Sequence, residues 1–341
     1  MTQVFHVLLV LLTLAPATLL AQKSPLSAPA ENLDDCTLID SSNARLACYD
    51  DLATSSGTRT ESTDQEEVDS GVTSSLVEQY MATEQAIFSF SGSFVGHRPM
   101  YILPFSYLKN ANREPVSPRT GVSTYDYKLD NQEAKYQISF KVPLLTGLLE
   151  NRTTLWFGYT QRSFWQLYNT DDSAPFRETN FEPEIFLRHA LGLDLGPVTL
   201  SGLALGLNHE SNGQSEPRSR SWNRIMGTTA FSYNRWLFIV QPWYRLPESA
   251  SEDDNADIER YLGHANYRAI YRWTEDRTLS LKLNNNLRSD NRTSVELGYS
   301  FPIGGSVKGF VQYFNGYGES LIDYNQRVQR IGIGIMLNDW L

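Results

Sequence analysis

Long rows of apolar residues that alternate with small or polar residues dominate the C-terminal two-thirds of this 341-residue chain. Successive side chains of a β-strand point to opposite faces, so this alternation predicts strands with one apolar face. In one row, a histidine and a serine continue a series of leucines: Leu203, Leu205, Leu207, His209 and Ser211. The intervening residues, such as Gly206 and Glu210, are small or polar. His209 and Ser211 are therefore predicted to share the apolar face.

From His97 onward, twelve segments with this alternation can be laid out, and the 203–211 row lies on the fifth. In a soluble β-sandwich the apolar faces would form the core, whereas in a membrane barrel they face lipid. The segments are near the ~9–11 residues that a tilted spanning strand needs, and Tyr and Trp gather at the ends of the rows, as at membrane interfaces. These features favour an all-β fold, a twelve-stranded antiparallel transmembrane β-barrel. The eighth segment is predicted to include Tyr261 and to end near Trp273.

The predicted connections alternate in length. Short ones are expected at 147–151, 195–197, 234–235, 274–277 and 303–305. Longer polar ones are expected at 109–132, 168–175, 212–218, 247–257 and 317–324, and only 289–292 is brief among these. Barrels of the outer membrane have short periplasmic turns and longer external loops. We therefore expect an outer-membrane protein with both termini in the periplasm, as an even number of strands requires.

The N-terminal part of the chain has a different composition. Residues 1–21 contain a short apolar stretch and small residues before Gln22, which predicts a secretory signal peptide, with a buried strand as the alternative. Between positions 22 and 80, twelve acidic residues oppose three basic ones and carry −9 of the net charge of −10. This predicts a largely disordered periplasmic extension over 22–86, followed by the barrel at 87–341. The near-neutral remainder argues against nucleic-acid binding.

Both cysteines, Cys36 and Cys48, lie in the acidic extension. Behind a signal peptide they are expected to form a disulfide that holds a small helical element. A redox or metal role is the alternative, but no second motif supports it.

A candidate catalytic site follows from the hairpin after the fifth strand. If the hairpin is centred at Glu216, His209 pairs with Asn223 and Ser211 with Ser221, close enough for side chains to hydrogen-bond. His209 would then lie between a hydroxyl and an orienting amide, which is the arrangement of a catalytic triad. Asparagine can orient an imidazole without burying a carboxylate in apolar surroundings, although it adds no negative charge.

Other classes remain open from the residues alone. His209 could be an interfacial histidine, as we expect for His189, which lies in an apolar row with no hydroxyl two residues away. The chain could then be a non-enzymatic barrel. A lipid A deacylase or an outer-membrane protease would share the fold. Such proteases use acidic and histidine residues on the inner rim, which the predicted outward direction of His209 contradicts.

The stretch 208–224, together with 176–183 and 316–325, resembles the outer membrane phospholipase A family of Gram-negative bacteria. The resemblance covers roughly 97–340, without the acidic extension. It implies a twelve-stranded barrel that hydrolyses acyl esters of phospholipids and lysophospholipids, needs Ca²⁺ and is activated by dimerisation. By position, it implies that His209 is the base, Ser211 the nucleophile and Asn223 the orienting group.

The resemblance also implies a calcium site. Its ligands would be the main-chain carbonyl at Gln214, the hydroxyl of Ser219 and, from the second protomer, Ser173. The family has arginine where this chain has Gln214, and many barrels end in phenylalanine where this chain ends in Trp340 and Leu341. A main-chain ligand does not depend on the side chain, so calcium binding is expected to survive the first change.

Gln161 lies in an otherwise apolar row that ends in Ser163 and Trp165. An unpaired amide in hydrocarbon is costly. The sequence therefore predicts that Gln161 meets its counterpart across the two-fold axis of a homodimer. The resembled family also has a glutamine at this place.

Overall fold

The computed structural model describes Cys36, Arg45, Cys48 and residues 94–305 and 307–340. The chain divides into two compact units, residues 1–71 and 72–341. In the first unit, Cys36 and Cys48 are joined by a disulfide, and both residues are helical. The predicted signal peptide lies outside the described residues, as does most of the predicted extension.

The described part of the second unit is built from β-strands and two four-residue helical segments. The strands are β1 (Val95–Gly96), β2 (Met100–Lys109), β3 (Val116–Ser117), β4 (Gly121–Val122), β5 (Gln132–Gly147), β6 (Thr153–Trp165), β7 (Phe176–Leu195), β8 (Val198–Ser211), β9 (Ser221–Tyr233), β10 (Trp236–Arg245), β11 (Ala265–Thr274), β12 (Arg277–Asn285), β13 (Thr293–Gly304), β14 (Val307–Gly316) and β15 (Val328–Asn338). The helical segments are α1 (Leu148–Asn151) and α2 (Glu259–Leu262). Within the described residues, no helix is long and apolar enough to cross a membrane.

Twelve long antiparallel strands, β2 and β5 to β15, close into a barrel. Each pairs with its neighbours in this order, and β15 pairs back with β2, so that Ile331 lies opposite Tyr107 and Ile333 opposite Phe105. Short β1 adds to β5, and β3 and β4 form a hairpin in the first long loop. Closure leaves no sheet edge, so backbone groups can be paired within the wall, as a hydrocarbon environment requires. The predicted all-β, twelve-stranded fold is confirmed.

The apolar rows face outwards. On β8, Leu203, Leu205 and Leu207 are 48%, 62% and 59% exposed, while Asn208 and Glu210 are buried inside the barrel. A soluble sandwich would show the opposite arrangement, with leucines inside and charges outside. This sidedness places His209 and Ser211 on the outer wall, since they continue the leucine row.

The predicted alternation of loop lengths is also confirmed. Connections at one end of the barrel span 148–152, 196–197, 234–235, 275–276 and 305–306, and those at the other end span 110–131, 166–175, 212–220, 246–264, 286–292 and 317–327. The eighth long strand starts later than predicted, because Tyr261 belongs to α2 and β11 begins at Ala265. Neighbouring Ile258 is fully buried, and the Tyr261 ring packs edge-on against Tyr324, so packing beneath the loops overrides the alternation here.

Paired charges fill the barrel interior. Glu133 accepts hydrogen bonds from Arg177 Nε at 2.5 Å and from Arg330 Nη2 at 2.9 Å. Glu319 accepts from Arg330 Nε at 2.8 Å and from Lys135 Nζ at 3.0 Å. These side chains are almost completely buried. A buried charge without its partner is strongly unfavourable, so the members of this cluster depend on one another.

We expect Glu133→Ala to lower the free energy of unfolding by about 3–5 kcal/mol, because it leaves Arg177 and Arg330 without a shared carboxylate. Reversible urea unfolding in detergent or lipid vesicles measures this loss. The matched control is Glu275→Ala in an exposed short turn, which should change little. Equal stability of both variants would show that the interior cluster is not needed for the fold.

Candidate active site

The β8–β9 hairpin has the predicted register. His209 lies opposite Asn223 and Ser211 opposite Ser221, just before the loop 212–220. Side chains alternate along both strands, so all of these residues continue the outward face. The site thus lies on the outer wall, at the end of the barrel that carries the long loops.

One hydrogen bond defines the histidine's orientation. His209 Nδ1 lies 2.8 Å from Asn223 Oδ1, and since an amide oxygen only accepts, Nδ1 carries the hydrogen. In a neutral imidazole this leaves Nε2 as the proton acceptor. Ser211 lies two residues along the same face. No hydrogen bond among the described residues joins Ser211 Oγ to His209 Nε2, and such contacts are often loose before substrate binds.

The hairpin is clamped from inside the barrel by Glu210. Its carboxylate accepts hydrogen bonds from Trp222 Nε1 at 3.0 Å, Arg224 Nη2 at 3.0 Å and Arg162 Nη2 at 2.8 Å. The Arg224 guanidinium also lies 3.9 Å from the centre of the Trp222 ring. These contacts tie β8 to β9 and β6. They hold the backbone that carries His209 and Asn223 on the opposite face.

Asn212 shapes the loop that follows Ser211. Its side-chain oxygen accepts hydrogen bonds from the main-chain N–H groups of Gln214 at 3.3 Å and Arg220 at 2.9 Å. Its amide nitrogen donates to the Arg218 carbonyl at 2.8 Å. The Gln214 side chain donates to Glu178 Oε2 at 2.7 Å. The two ends of the loop are therefore held together around one buried side chain.

The candidate calcium ligands fit a hard cation in their chemistry. Within the described residues, no hydrogen bond reaches the Gln214 carbonyl or the Ser219 hydroxyl, and oxygen atoms are the ligands that Ca²⁺ takes. No group of three or more acidic, histidine or cysteine residues suited to a metal occurs in the described part of the chain. Ser173 is exposed in the loop 166–175, and no hydrogen bond between described residues joins it to Gln214 or Ser219.

The sequence argument missed Glu248. Its Oε1 accepts a hydrogen bond from Asn223 Nδ2 at 3.2 Å, although 25 positions separate the two residues. Burial raises the pKa of the Glu248 carboxyl above its ordinary value, while the nearby Arg245 guanidinium acts in the opposite direction. Nothing in the local sequence pattern indicated this contact, because it depends on the path of the loop after β10.

Gln161 is not the bare amide that the sequence argument assumed. Its Oε1 accepts from Tyr159 Oη at 3.0 Å and its Nε2 donates to Ser163 Oγ at 3.1 Å. That part of the prediction was wrong, because residues two apart on one strand face lie close enough to hydrogen-bond. His189 Nδ1 lies 2.7 Å from Thr153 Oγ1, so this second outward histidine is also paired.

The closed, membrane-type barrel defines the fold class, and Ser211, His209 and Asn223 lie on its outer wall. The comparisons with known proteins agree. The family model described as Phospholipase A1 matches residues 77–337. The chain therefore belongs to the phospholipase A1 family and is, by class, an outer-membrane phospholipase, an ester hydrolase.

Individual relatives show how far the similarity extends. A protein from Neisseria meningitidis serogroup B is 43% identical over 250 residues, which cover 71% of this chain and 65% of that protein, just under two thirds of its length. A phospholipase A1 of Klebsiella pneumoniae is 40% identical over 241 residues, covering 70% of this chain and 80% of its own.

Two solved structures are similar in fold. Outer membrane phospholipase A from Escherichia coli matches with a TM-score of 0.67 and 37% identity, covering 73% of this chain and 93% of that one. The Salmonella typhi outer membrane phospholipase, a dimer with bound calcium, matches with the same TM-score and identity, over 72% of this chain and 92% of its own.

Proposed function

We propose that the chain hydrolyses acyl esters of phospholipids and lysophospholipids in the outer membrane, with Ser211 as nucleophile, His209 as base and Asn223 as orienting group. The observation that carries this proposal is the 2.8 Å hydrogen bond between His209 Nδ1 and Asn223 Oδ1, with Ser211 on the same outward face. It leaves His209 Nε2 as the atom that can accept a proton from a nearby hydroxyl.

The proposed reaction has two stages. His209 Nε2 takes the proton of Ser211 as Oγ attacks the acyl carbonyl, and the tetrahedral intermediate expels the glycerol oxygen, which receives that proton. Water then attacks the acyl-enzyme, with His209 again taking the proton, and the fatty acid leaves with Ser211 restored. Asn223 keeps Nδ1–H directed at its oxygen throughout, so that Nε2 stays directed at the reacting groups.

The surroundings of the site support a lipid substrate. Below His209 the outer wall presents exposed leucine and isoleucine side chains, among them Leu205, Leu207 and Ile225. Above Ser211 the polar loop 212–220 begins. A phospholipid that lies along the wall would place its acyl chains against the apolar rows and its ester bonds at the polar rim. Ser211 lies at the same level, where the apolar wall meets the polar loop.

The residues proposed to hold Ca²⁺ are Gln214, through its main-chain carbonyl, Ser219, through its hydroxyl, and Ser173 of the partner subunit. A divalent cation bound there would supply stabilisation of the negative charge that develops on the acyl oxygen. The barrel's own N–H groups are engaged in the strand ladder, so few are free for this task. The calcium in the similar Salmonella dimer supports the proposal.

The proposal includes a homodimer with Gln161 near its centre and both termini in the periplasm. The Gln161–Tyr159–Ser163 cluster is a polar patch in an apolar wall, and an equivalent patch on a second barrel would exchange hydrogen bonds with it. A non-enzymatic barrel or a lipid A deacylase are the alternatives. A non-enzymatic barrel would keep its function when Ser211 is replaced. A lipid A deacylase would act on lipid A rather than on phospholipid.

Ser211→Ala should abolish hydrolysis of phospholipid esters in mixed detergent micelles while the barrel still folds. The reason is that no other hydroxyl lies next to His209 on its own strand face. Release of fatty acid measures activity, and heat-modifiable mobility in electrophoresis measures folding. Sulfonyl fluorides should label the wild-type chain at Ser211, and EDTA should inhibit it. Substantial activity in the folded variant would remove the enzymatic proposal.

Gln161→Ala should weaken dimerisation in detergent by about 3- to 30-fold, the effect of losing one or two polar contacts in apolar surroundings. Sedimentation equilibrium gives the dimerisation constant. Gln329→Ala is the matched control, because Gln329 is also hydrogen-bonded to an outward tyrosine but on β15, away from β6. An unchanged constant for Gln161→Ala would make the residue a locally satisfied polar group only.

Calcium should tighten dimerisation, because a site completed by Ser173 of the partner subunit exists only in the dimer. Linkage requires that the factor by which calcium favours the dimer equals the factor by which dimerisation favours calcium. The dimerisation constant of sulfonylated protein is measured with calcium and with EDTA. Ser173→Ala should remove the difference. If calcium leaves the dimerisation constant of the sulfonylated protein unchanged while Ser173 is intact, the shared site does not exist, even if the chain is an active lipase.

A further inference from the structure

Asn223 can perform only one of the two roles that the acid has in a catalytic triad. In a Ser–His–Asp triad, the carboxylate both orients the imidazole and stabilises the positive charge that forms on it. The amide of Asn223 can orient His209 but carries no charge. The neighbouring carboxylate on β8, Glu210, faces the opposite side of the wall and is engaged with Trp222 and Arg224.

Glu248 is the carboxylate that reaches Asn223 on the outer side. The two ends of the Asn223 amide have different partners, because Oδ1 accepts from His209 at 2.8 Å and Nδ2 donates to Glu248 Oε1 at 3.2 Å. The three side chains therefore form a continuous row in which a carboxylate is one amide group away from the imidazole. The geometry is that of a triad with an amide inserted between the histidine and the acid.

The backbone holds Glu248 at this place. Arg245, the last residue of β10, pairs with Arg224, and the main-chain N–H of Leu246 then donates to the Asn223 carbonyl at 2.8 Å. This bond continues the β9–β10 pairing beside Asn223, two residues before Glu248. The side chain of Glu248 can therefore accept the hydrogen bond from the Asn223 amide.

Among the described residues, no ion pair involves the Glu248 carboxylate. The charged or titratable groups that act most strongly on its carboxyl are Arg245, Asp253 and His209. Arg245 Nη2 is held by Asp253 Oδ1 at 2.5 Å, and its Nη1 donates to the Ala256 carbonyl. Among the described residues, no hydrogen bond joins Arg245 to Glu248. The polar contact that the structure gives the Glu248 carboxylate is the one to Asn223.

Building on the proposed function, we propose that Glu248 is a positioning residue that acts through Asn223 and supplies the negative charge which the asparagine lacks. A carboxylate beside Nδ2 permits only one orientation of the amide, because the flipped amide would set Oδ1 against Glu248 and Nδ2 against the His209 N–H. The same charge polarises the amide towards His209. It thus favours the imidazolium that forms as Ser211 loses its proton.

Glu248→Gln removes the charge and keeps the shape. We expect kcat to fall by about 3- to 10-fold, as the loss of one charge near the imidazole implies, with KM unchanged because no substrate contact is lost. Glu252→Gln is the matched control, since Glu252 lies in the same loop, is exposed and contacts Ser249. It should retain the wild-type kcat. A wild-type kcat for Glu248→Gln would overturn the proposal.

The direction in which Glu248→Gln changes kcat in different Asn223 backgrounds distinguishes this role from a structural one. In an Asn223→Asp background two carboxylates would face each other, so Glu248→Gln should raise kcat there by a factor of a few rather than lower it. In an Asn223→Ala background, Glu248→Gln should have no effect, because the group that transmits the charge is gone. The same decrease in all three backgrounds would show that Glu248 only stabilises the loop.

The outcomes distinguish this inference from the function on which it rests. If folded Ser211→Ala keeps its activity, the proposed hydrolase site is wrong and Glu248 has no role to play. If activity requires Ser211 but is indifferent to Glu248 in every background, only the role of Glu248 is wrong. Heat-modifiable mobility is measured for each variant, so that a loss of folding is not counted as a loss of kcat.

Discussion

The pairing of buried charges inside the barrel is the constraint on which the rest of the structure depends. An apolar outer wall obliges the alternate side chains of every strand to face inwards, and in this chain many of those are charged. Each needs a partner, because a lone ion in the interior is strongly unfavourable. Glu133 is shared by Arg177 and Arg330, and Glu182 is shared by Arg98 and Arg224. These pairs join segments that are distant in the chain across the barrel interior.

The same interior cluster supports the outer site. Glu210 and Arg224 lie on the inward face of the two strands whose outward face carries His209 and Asn223. A strand that slipped by one residue would break the inner ion pairs and turn the outer residues inwards. The inward contacts therefore hold His209 and Asn223 on the outer face, where Asn223 also reaches Glu248 in the loop after β10. The fold is that of an outer-membrane phospholipase, and the site lies at the level where the apolar wall meets the long loops.

The sequence predicted more of the site than of its surroundings. The register that pairs His209 with Asn223 follows from a hairpin centred at Glu216 between two alternating rows, and it is confirmed. The beginning of the eighth long strand did not follow, since Tyr261 alternates like a strand residue but packs into a helical turn under the loops. The premise that the Gln161 amide has no partner within its own barrel was also wrong, because alternation gives the face of a residue but not its side-chain partners.

By itself, the sequence determined which residues face lipid, because side chains along a strand alternate between its two faces. It also determined which strands are adjacent, because short turns allow a strand to pair only with its neighbour in the chain. It also determined that a serine and a histidine share the outward face. Only the tertiary structure decided what those side chains touch. Glu248 reaches Asn223 across 25 positions because β10 pairs with β9 and the chain continues beside Asn223 where β10 ends. Such a contact depends on the path of a loop, and a loop's path is set by packing rather than by any periodic pattern.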